Sequence, residues 1–142
     1  MRLSSRARYG LRAMIAIAMK RGVQASGAVL ARETGISKKY LDAILHQLRT
    51  AGLINASHGA RGGYSLARAA DEVTAADIVE TLEKEIALVP CVEDPGTCKR
   101  SSNCPTLPVW RAATEAIRSV LGGIKLSDLA RDNDDKEPMY HI

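Results

Sequence analysis

The fold is set by residues 29–54, VLARETGISKKYLDAILHQLRTAGLI, in a chain of 142 residues. Ala31 is small enough to let two helices approach closely, and Gly35 can adopt the left-handed conformation that ends a first helix. Ile36 would fill the corner between the helices, and Ser37 offers an N-cap for the second one. This pattern predicts a helix-turn-helix, with each position in a distinct mechanical role.

The second helix of this motif has two faces of opposite character. Leu41, Ile44, Leu45 and Leu48 recur at helical spacing and predict an apolar stripe that faces inward. The opposite face carries polar or small residues, namely Lys39, Asp42, Ala43, His46 and Thr50. A recognition helix offers such a face to the major groove of DNA. The second helix is therefore the candidate reader helix.

Residues 53–66, LINASHGARGGYSL, follow the reader helix directly. Leu53-Ile54 and Tyr64-Ser65-Leu66 predict two short strands, and the glycines between them predict a flexible turn. A helix-turn-helix followed by such a hairpin is a winged helix. A glycine-rich hairpin without a DNA role is the alternative, and Arg61 at the tip favours the wing.

Further helices complete the predicted fold, which is mainly α with a small β-hairpin wing. The periodic patterns give these bounds: from Ser4 or Ser5 to about Lys20, from Ala75 to about Lys84, and from Pro105 or Pro108 to Leu121. A short extended piece is predicted at residues 86–89, and Ser127 is expected to cap a last turn, SDLAR. Because Phe is absent and aromatic residues make up only 4% of the chain, aliphatic side chains must form the core.

The apolar edge of the long C-terminal helix predicts a dimerisation surface. It consists of Leu107, Trp110, Ala113, Ile117, Val120 and Leu121. A compact winged helix has little surface on which to bury such an edge, and the same helix of a second subunit would cover it. The alternative is that the edge packs only on its own domain, against the first helix.

Residues 90–108, PCVEDPGTCKRSSNCPTLP, hold all three cysteines of the chain in the pattern C-x6-C-x5-C. The prolines at both edges predict a loop. Thiolates are soft ligands for iron–sulfur clusters, zinc and cuprous copper, and the short C-x2–4-C spacing of structural zinc sites is missing. The pattern favours Cys91, Cys98 and Cys104 as iron–sulfur ligands over thiol redox switching, another metal, or structural cysteines.

Charge and hydropathy narrow the classes of function. The net charge of +4 permits a phosphate-backbone partner. The longest apolar run near the N-terminus, Ala13–Met19, is too short to span a bilayer, and no secretory cleavage pattern follows it, so we expect a cytoplasmic protein without a membrane partner. An enzyme is not expected, because the sequence lacks a nucleophile–base set, a phosphate-binding motif and a C-x-x-C pair.

Together these pieces resemble the IscR/NsrR-type (Rrf-type) bacterial winged-helix regulators, up to about Leu129. The resemblance is carried by MRLSSRARYGLRAM, GISKKYLDAILHQLRTAGLI, GARGGYSLAR, the three-cysteine loop and VWRAATEAIRSVLGGIKLSDL. It implies a homodimeric transcription factor, usually a repressor, that binds palindromic double-stranded promoter DNA. It also implies that the cysteines hold a two-iron or four-iron iron–sulfur cluster close to the partner's first helix, and that the long helix after the loop mediates dimerisation.

Two positions depart from the ways in which that family completes a cluster, which generally needs four protein ligands. Where relatives of the IscR kind have a histidine three residues after the third cysteine, this chain has Leu107. Where relatives of the NsrR kind recruit an aspartate near the start of the partner's first helix, it has Arg8. The fourth position would then be open or filled by an oxygen ligand that the family pattern does not predict.

The predicted DNA contacts come from the reader helix and the wing. They are Ser37, Lys38, Lys39, Tyr40, Asp42, His46, Arg49 and Arg61. The basic residues of the helix would meet phosphates or base edges, and Asp42 could accept a hydrogen bond from cytosine N4. Asp42 also stands where IscR-like proteins have an acidic residue involved in site discrimination. Arg61 would enter a narrow, A·T-rich minor groove.

These predictions divide the chain into a DNA-binding domain (1–88), a cluster-binding loop (89–105), a dimerisation helix with a short C-terminal helix (106–131) and a flexible tail (132–142). The competing interpretation is a winged-helix regulator or a protein-interaction adaptor with a thiol-redox or zinc-binding loop. Steep salt dependence of binding to duplex DNA would favour the DNA reader, because it reports phosphate contacts.

Overall fold

The structure, a computed structural model, describes residues 2–134. Its helices are α1 (Ser5–Met19), α2 (Gly27–Thr34), α3 (Lys38–Thr50), α4 (Ala75–Leu82), α5 (Pro90–Glu93), α6 (Leu107–Gly122) and α7 (Leu126–Asp134). The strands β1 (Ile54–Ser57) and β2 (Gly63–Leu66) form a two-stranded antiparallel sheet. This order of elements confirms the predicted winged helix, mainly α with one small hairpin.

Side-chain hydroxyls cap the first four helices. Ser4, Ser26 and Ser37 each accept a hydrogen bond from a backbone N–H in the first turn of α1, α2 and α3. Thr74 and Asp77 form a capping box at the start of α4. Each cap satisfies a backbone N–H that the helix leaves unpaired, which typically stabilises by about 1 kcal/mol. Local sequence therefore determines where α1 to α4 begin.

Gly35 separates the two helices of the helix-turn-helix. It adopts a left-handed conformation with φ 70°, and its N–H donates to the carbonyl oxygen of Ala31 at 3.0 Å. Ile36 is buried in the corner between the helices. The turn therefore forms as residues 31–37 predict, with glycine where an L side chain would be strained.

Helix α1 lies at the centre of the fold and packs against α2, α3, α4 and α7. The buried side chains of this core are mostly aliphatic and include Met14, Ile17, Leu30, Leu41, Ile44, Leu45, Leu48, Ile54, Ile78, Leu82 and Leu126. Gly10 permits a close approach of α1 and α4, because a Cβ atom there would overlap the Leu82 side chain. Among the helices of residues 2–134, none combines the length and apolar character that a membrane span requires.

The wing is anchored to the segment that precedes the helix-turn-helix. Strand β1 begins at Ile54, one residue later than predicted, and opposes Leu66 of β2. Ala25 adds a bridge to Tyr64 through two backbone hydrogen bonds of 3.0 and 2.8 Å. Gly63 makes this approach possible, since a Cβ atom there would lie 2.5 Å from the carbonyl oxygen of Ala25.

The segment 90–108 corrects the prediction of a single irregular loop. Pro90 begins α5, one helical turn, and Pro108 is the second residue of α6, because proline is tolerated where a helix leaves its N–H groups unpaired. Two 3-10 turns, Pro95–Thr97 and Ser101–Asn103, lie between these helices. The extended piece predicted at 86–89 belongs to none of the strands that the structure describes.

Helix α7, the last helix, is longer than the short turn predicted there. Helix α7 continues to Asp134, so Ser127 lies inside the helix instead of capping it, and residues 132–134 are helical instead of belonging to a flexible tail. The physical reason is packing, because Leu126 is fully buried and α7 lies along α1. The rest of the predicted tail, residues 135–142, lies outside the described residues.

Candidate DNA-binding surface and cysteine segment

The outer face of α3 is open to solvent, as the sequence predicts for the reader helix. Its exposed residues, together with the cap residue, are Ser37, Lys38, Lys39, Asp42, Ala43, His46, Arg49 and Thr50. On the inner face, Leu41, Ile44, Leu45 and Leu48 are all at 0% exposure. A helix that is packed along one side and open along the other can enter a major groove.

Lys38 and Asp42, one turn apart on α3, form an ion pair. The Nζ atom of Lys38 lies 3.3 Å from Oδ1 of Asp42, as well as close to Oδ2. Gly27 at the start of α2 lies alongside this pair. Both charged side chains are about half exposed, so the pair is weak and can open when a phosphate or base competes for it. Without DNA, the positive charge of Lys38 is partly compensated by Asp42.

Tyr40 faces α1 and not the open side of the reader helix. Its hydroxyl lies 2.9 Å from Oγ of Ser5, and its ring meets Tyr9 edge-on with the ring centroids 5.7 Å apart. The Arg12 guanidinium lies over the Tyr9 ring at 5.3 Å. Sequence reasoning missed Ser5 and Tyr9, because no local pattern relates residues 35 positions apart. Tyr40 therefore ties the first turn of the reader helix to α1.

Arg61 lies at the exposed tip of the wing. The turn is closed by a hydrogen bond of 3.0 Å from the N–H of Gly62 to the carbonyl oxygen of Gly59. A Cβ atom at Gly62 would lie 2.8 Å from the carbonyl carbon of His58, so only glycine fits this turn without a backbone shift. The glycines thus hold Arg61 on a tight, projecting loop.

The three cysteines lie on separate parts of the segment 90–108. Cys91 is half-buried on α5, Cys98 is exposed between the two 3-10 turns, and Cys104 is half-buried just before α6. All three are free thiols. Their chemistry fits a soft metal or an iron–sulfur cluster. In the part of the chain that the structure describes, however, they are not gathered with each other or with His, Asp or Glu into a group that could hold a metal ion.

The protonation of the Cys104 thiol is affected by its surroundings. Its Sγ atom lies 3.2 Å from Oγ1 of Thr106. This side-chain hydrogen bond, helped by the backbone N–H of Thr106 and the nearby charge of Arg100, lowers the pKa of Cys104. The thiolate, which is the form that binds metals, is thereby favoured.

The predicted dimerisation edge of α6 is divided between the interior and the surface. Leu107 is only 4% exposed and therefore lies inside its own chain, which corrects its assignment to a partner surface. Ile117 and Leu121 also pack against the core of their own chain. Trp110 is 38% exposed and Val120 is 64% exposed. The exposed part of α6 thus follows a narrower stripe than the apolar pattern predicts, with Val109 as an additional member and Ala113 half-buried.

A comparison with known proteins identifies the family. Residues 3–132 match Rrf2, described as "Iron-dependent Transcriptional regulator". The chain belongs to the Rrf2 family. Protein rrf2 of Nitratidesulfovibrio vulgaris is 40% identical over 133 residues, which cover 93% of this chain and 89% of that protein. The transcriptional regulator CymR of Bacillus subtilis is 36% identical over 141 residues, covering 99% and 97% of the two chains.

Solved structures agree with the Rrf2 assignment. IscR of T. potens has a TM-score of 0.77 and 30% identity, covering 99% of this chain and 97% of its own. The chain is accordingly a DNA-binding transcriptional regulator with a winged-helix fold, and its relatives are named as regulators and not as enzymes. The solved CymR of B. subtilis is described as a "Global Cysteine Regulator", whereas the description of the family names iron.

Neither of the two positions where other Rrf2-type regulators would complete a cluster offers a ligand. Leu107 is buried, and its side chain carries no donor atom. Arg8 is exposed on α1, with its guanidinium 6.0 Å from the centroid of the Tyr9 ring. Neither side chain therefore adds a metal-binding atom to the three thiols.

Proposed function

We propose that the chain is a homodimeric repressor that binds palindromic promoter DNA under the control of an iron–sulfur cluster. The observation that carries the proposal is the donor set, three free thiols on one polar segment outside the core. Core packing does not require cysteines there, whereas thiolates suit iron–sulfur clusters. The family description "Iron-dependent" and the likeness to T. potens IscR support the same chemistry.

DNA would be read by α3 in the major groove and by the wing in the minor groove. Lys39, His46 and Arg49 lie on the open face of α3 and would donate to phosphates or base edges. Asp42 would accept from a cytosine amino group once its pair with Lys38 opens. Arg61 would enter the minor groove where A·T pairs narrow it and make its potential most negative.

A dimer would present two such readers to the two halves of a palindrome. The exposed apolar residues Val109, Trp110 and Val120 on α6 support a partner there, because water would otherwise cover them. Two-fold symmetry of the protein then matches two-fold symmetry of the DNA site, with half-sites about one helical turn apart.

Cys91, Cys98 and Cys104 would hold the cluster. When bound, it supplies iron–thiolate bonds, which join three separate points of one segment. Because the three thiols are not gathered into one group within residues 2–134, the segment must close around its occupant. The turns around Cys98 are the parts most able to move, since they are exposed, whereas Cys91 is placed by α5 against α6. We infer that the cluster-bound and cluster-free forms differ in the arrangement of this segment.

The proposal is tested by purifying the protein without oxygen and measuring its absorption spectrum with its iron, sulfide and zinc content. The expected result is a coloured protein that contains iron and sulfide and loses both in Cys98→Ala. A colourless protein that contains zinc, or no metal, would contradict the proposal. A Lys99→Ala variant, which changes an exposed side chain without an oxygen atom in the same segment, serves as the control and should retain the colour.

A second candidate function is a regulator that responds through thiol chemistry without iron. The likeness to B. subtilis CymR, at a TM-score of 0.74 and 34% identity, favours it, because that protein is described as a cysteine regulator. The exposure of Cys98 is compatible with such chemistry. DNA binding that depends on thiol oxidation in a protein free of iron would select this candidate.

A further inference from the structure

Arg118 on α6 contacts two carboxylates that belong to two different elements. Its Nη2 atom donates to Oε1 of Glu93, the last residue of α5 and two positions after Cys91. Its Nε atom lies 3.5 Å from Oε1 of Glu80 on α4. One guanidinium thus joins the turn that carries Cys91 to helix α4.

The same face of α6 also holds the chain on the other side of Cys91. Thr114, one helical turn before Arg118, is only 1% exposed. Its Oγ1 atom accepts a hydrogen bond of 3.3 Å from the backbone N–H of Leu88. Residues 88–93 are therefore fixed to α6 at both ends, with Cys91 between the two contacts.

Helix α4 in turn packs against the reader helix. It contacts α1, α3 and α6, and its residues Ile78, Val79 and Leu82 share the core with Leu41 and Ile44 of α3. Packed cores transmit small displacements because they are dense and nearly incompressible. A displacement of the Cys91 turn that is passed to α4 can therefore reach the reader helix through one layer of side chains.

We propose that Arg118 is the positioning residue that fixes the Cys91 turn to α4 and so relates the arrangement of the cysteine segment to that of the reader helix. The relation between the cysteine segment and the reader helix rests on the proposed function. Arginine suits the role because its planar fork of N–H donors can serve two carboxylates at once, whereas lysine is a single point charge. Without Arg118, Glu80 and Glu93 would keep like charges on neighbouring elements with nothing to join them.

The first test measures how well the Cys91 turn is held, in a protein that cannot bind a cluster. With Cys98→Ser and Cys104→Ser in place, Cys91 is the only thiol, and its alkylation rate by iodoacetamide reports local opening. Arg118→Gln and Glu93→Gln should each raise the rate by about fivefold, as the loss of one charge-assisted contact predicts. The double variant should be no faster than either single variant, because both remove the same contact.

Matched variants separate this role from a general loss of stability. Arg111→Gln removes an exposed arginine from the same helix and should leave the alkylation rate unchanged. Thr114→Val removes the contact at the other end, so its effect should add to that of Arg118→Gln. The proposal is overturned if Arg118→Gln leaves the alkylation rate at the value of the Cys98→Ser, Cys104→Ser protein. It is also overturned if Arg118→Gln and Arg111→Gln raise the alkylation rate equally.

The second test uses the protein with all its cysteines and compares DNA affinity in the iron-loaded and metal-free forms. A purely structural role would change both affinities together, whereas a positioning role changes their ratio. We expect the ratio to shrink in Arg118→Gln and Glu80→Gln and to stay at the wild-type value in Arg111→Gln. An unchanged ratio in Arg118→Gln overturns the link to the reader helix. If the wild type binds no iron, the proposed function fails, while the alkylation rates still decide whether Arg118 holds the turn.

Discussion

The Nζ atom of Lys38 lies 3.1 Å from Oδ2 of Asp42, so the first cation of the reader helix is paired with an anion of the same helix before DNA arrives. Any contact of Asp42 with a base competes with this pair. Asp42 therefore has two roles that oppose each other. It restrains a cation that phosphates attract, and it is also the acceptor that could recognise cytosine.

Removing the carboxylate should strengthen binding while weakening discrimination. Asp42→Ala releases Lys38 for a phosphate, so affinity for a random duplex should rise by about threefold to tenfold at low salt, and the salt dependence should steepen by about one phosphate contact. Asp132→Ala on α7 makes the same change of net charge elsewhere and should leave the salt dependence unaltered. Filter binding or fluorescence anisotropy over a salt series measures the DNA affinity of both variants. If affinity depends on salt equally in the two variants, Asp42 does not restrain Lys38.

The wing tip should add affinity mainly for sites with a narrow minor groove. Arg61→Ala should weaken binding by about tenfold to a duplex with A·T-rich flanks and by less when the flanks are G·C-rich. Arg131→Ala, which removes an exposed arginine from α7, is the matched control. The measurement is affinity at matched salt for the two duplexes; an Arg61→Ala protein that binds both as tightly as the wild type would remove the wing from the DNA interface.

Tyr40 should affect DNA binding through its contacts with α1. Tyr40→Phe loses the hydroxyl contact with Ser5 and should lower the free energy of unfolding by about 1 kcal/mol. Tyr40→Ala also loses the edge-on contact with Tyr9 and should cost about 2–3 kcal/mol. Urea denaturation and DNA affinity, measured on the same variants, distinguish the roles. If Tyr40→Phe kept full stability but bound DNA much more weakly, its hydroxyl would contact DNA directly.

Substitutions of two apolar residues of α6 should affect different properties, folding stability for one and dimerisation for the other. Leu107→Ala leaves a cavity inside the chain and should lower the free energy of unfolding by about 2–4 kcal/mol. Trp110→Ser changes a side chain that is 38% exposed, so it should shift the monomer–dimer equilibrium towards monomer with a smaller effect on the fold. Sedimentation equilibrium and thermal unfolding at several concentrations separate the two. A Trp110→Ser protein with an unchanged dimer constant would place the partner surface elsewhere.

The sequence predicts best what local chemistry decides. Ser26, Gly35 and Ser37 act on their own turn of backbone, and their residue types alone reveal the caps and the turn of the helix-turn-helix. The contacts of Arg118 could not be found this way, because Glu93 lies 25 residues away and its approach depends on the packing of α4 and α6. Leu107 shows a second limit, since helical periodicity identifies an apolar residue without telling whether its own chain or a partner covers it.

In the proposed function, the occupant of the cysteine segment controls DNA binding. This control is measured as the affinity of iron-loaded and metal-free protein for one duplex selected from a random pool. At matched salt and without oxygen, the two wild-type forms should differ by at least about tenfold, a difference of about 1.4 kcal/mol in binding free energy. Cys98→Ala, prepared in the same two ways, should show a single affinity. Equal affinities for the two wild-type forms, or a Cys98→Ala protein that still responds to iron, would exclude control of DNA binding by the cysteine segment.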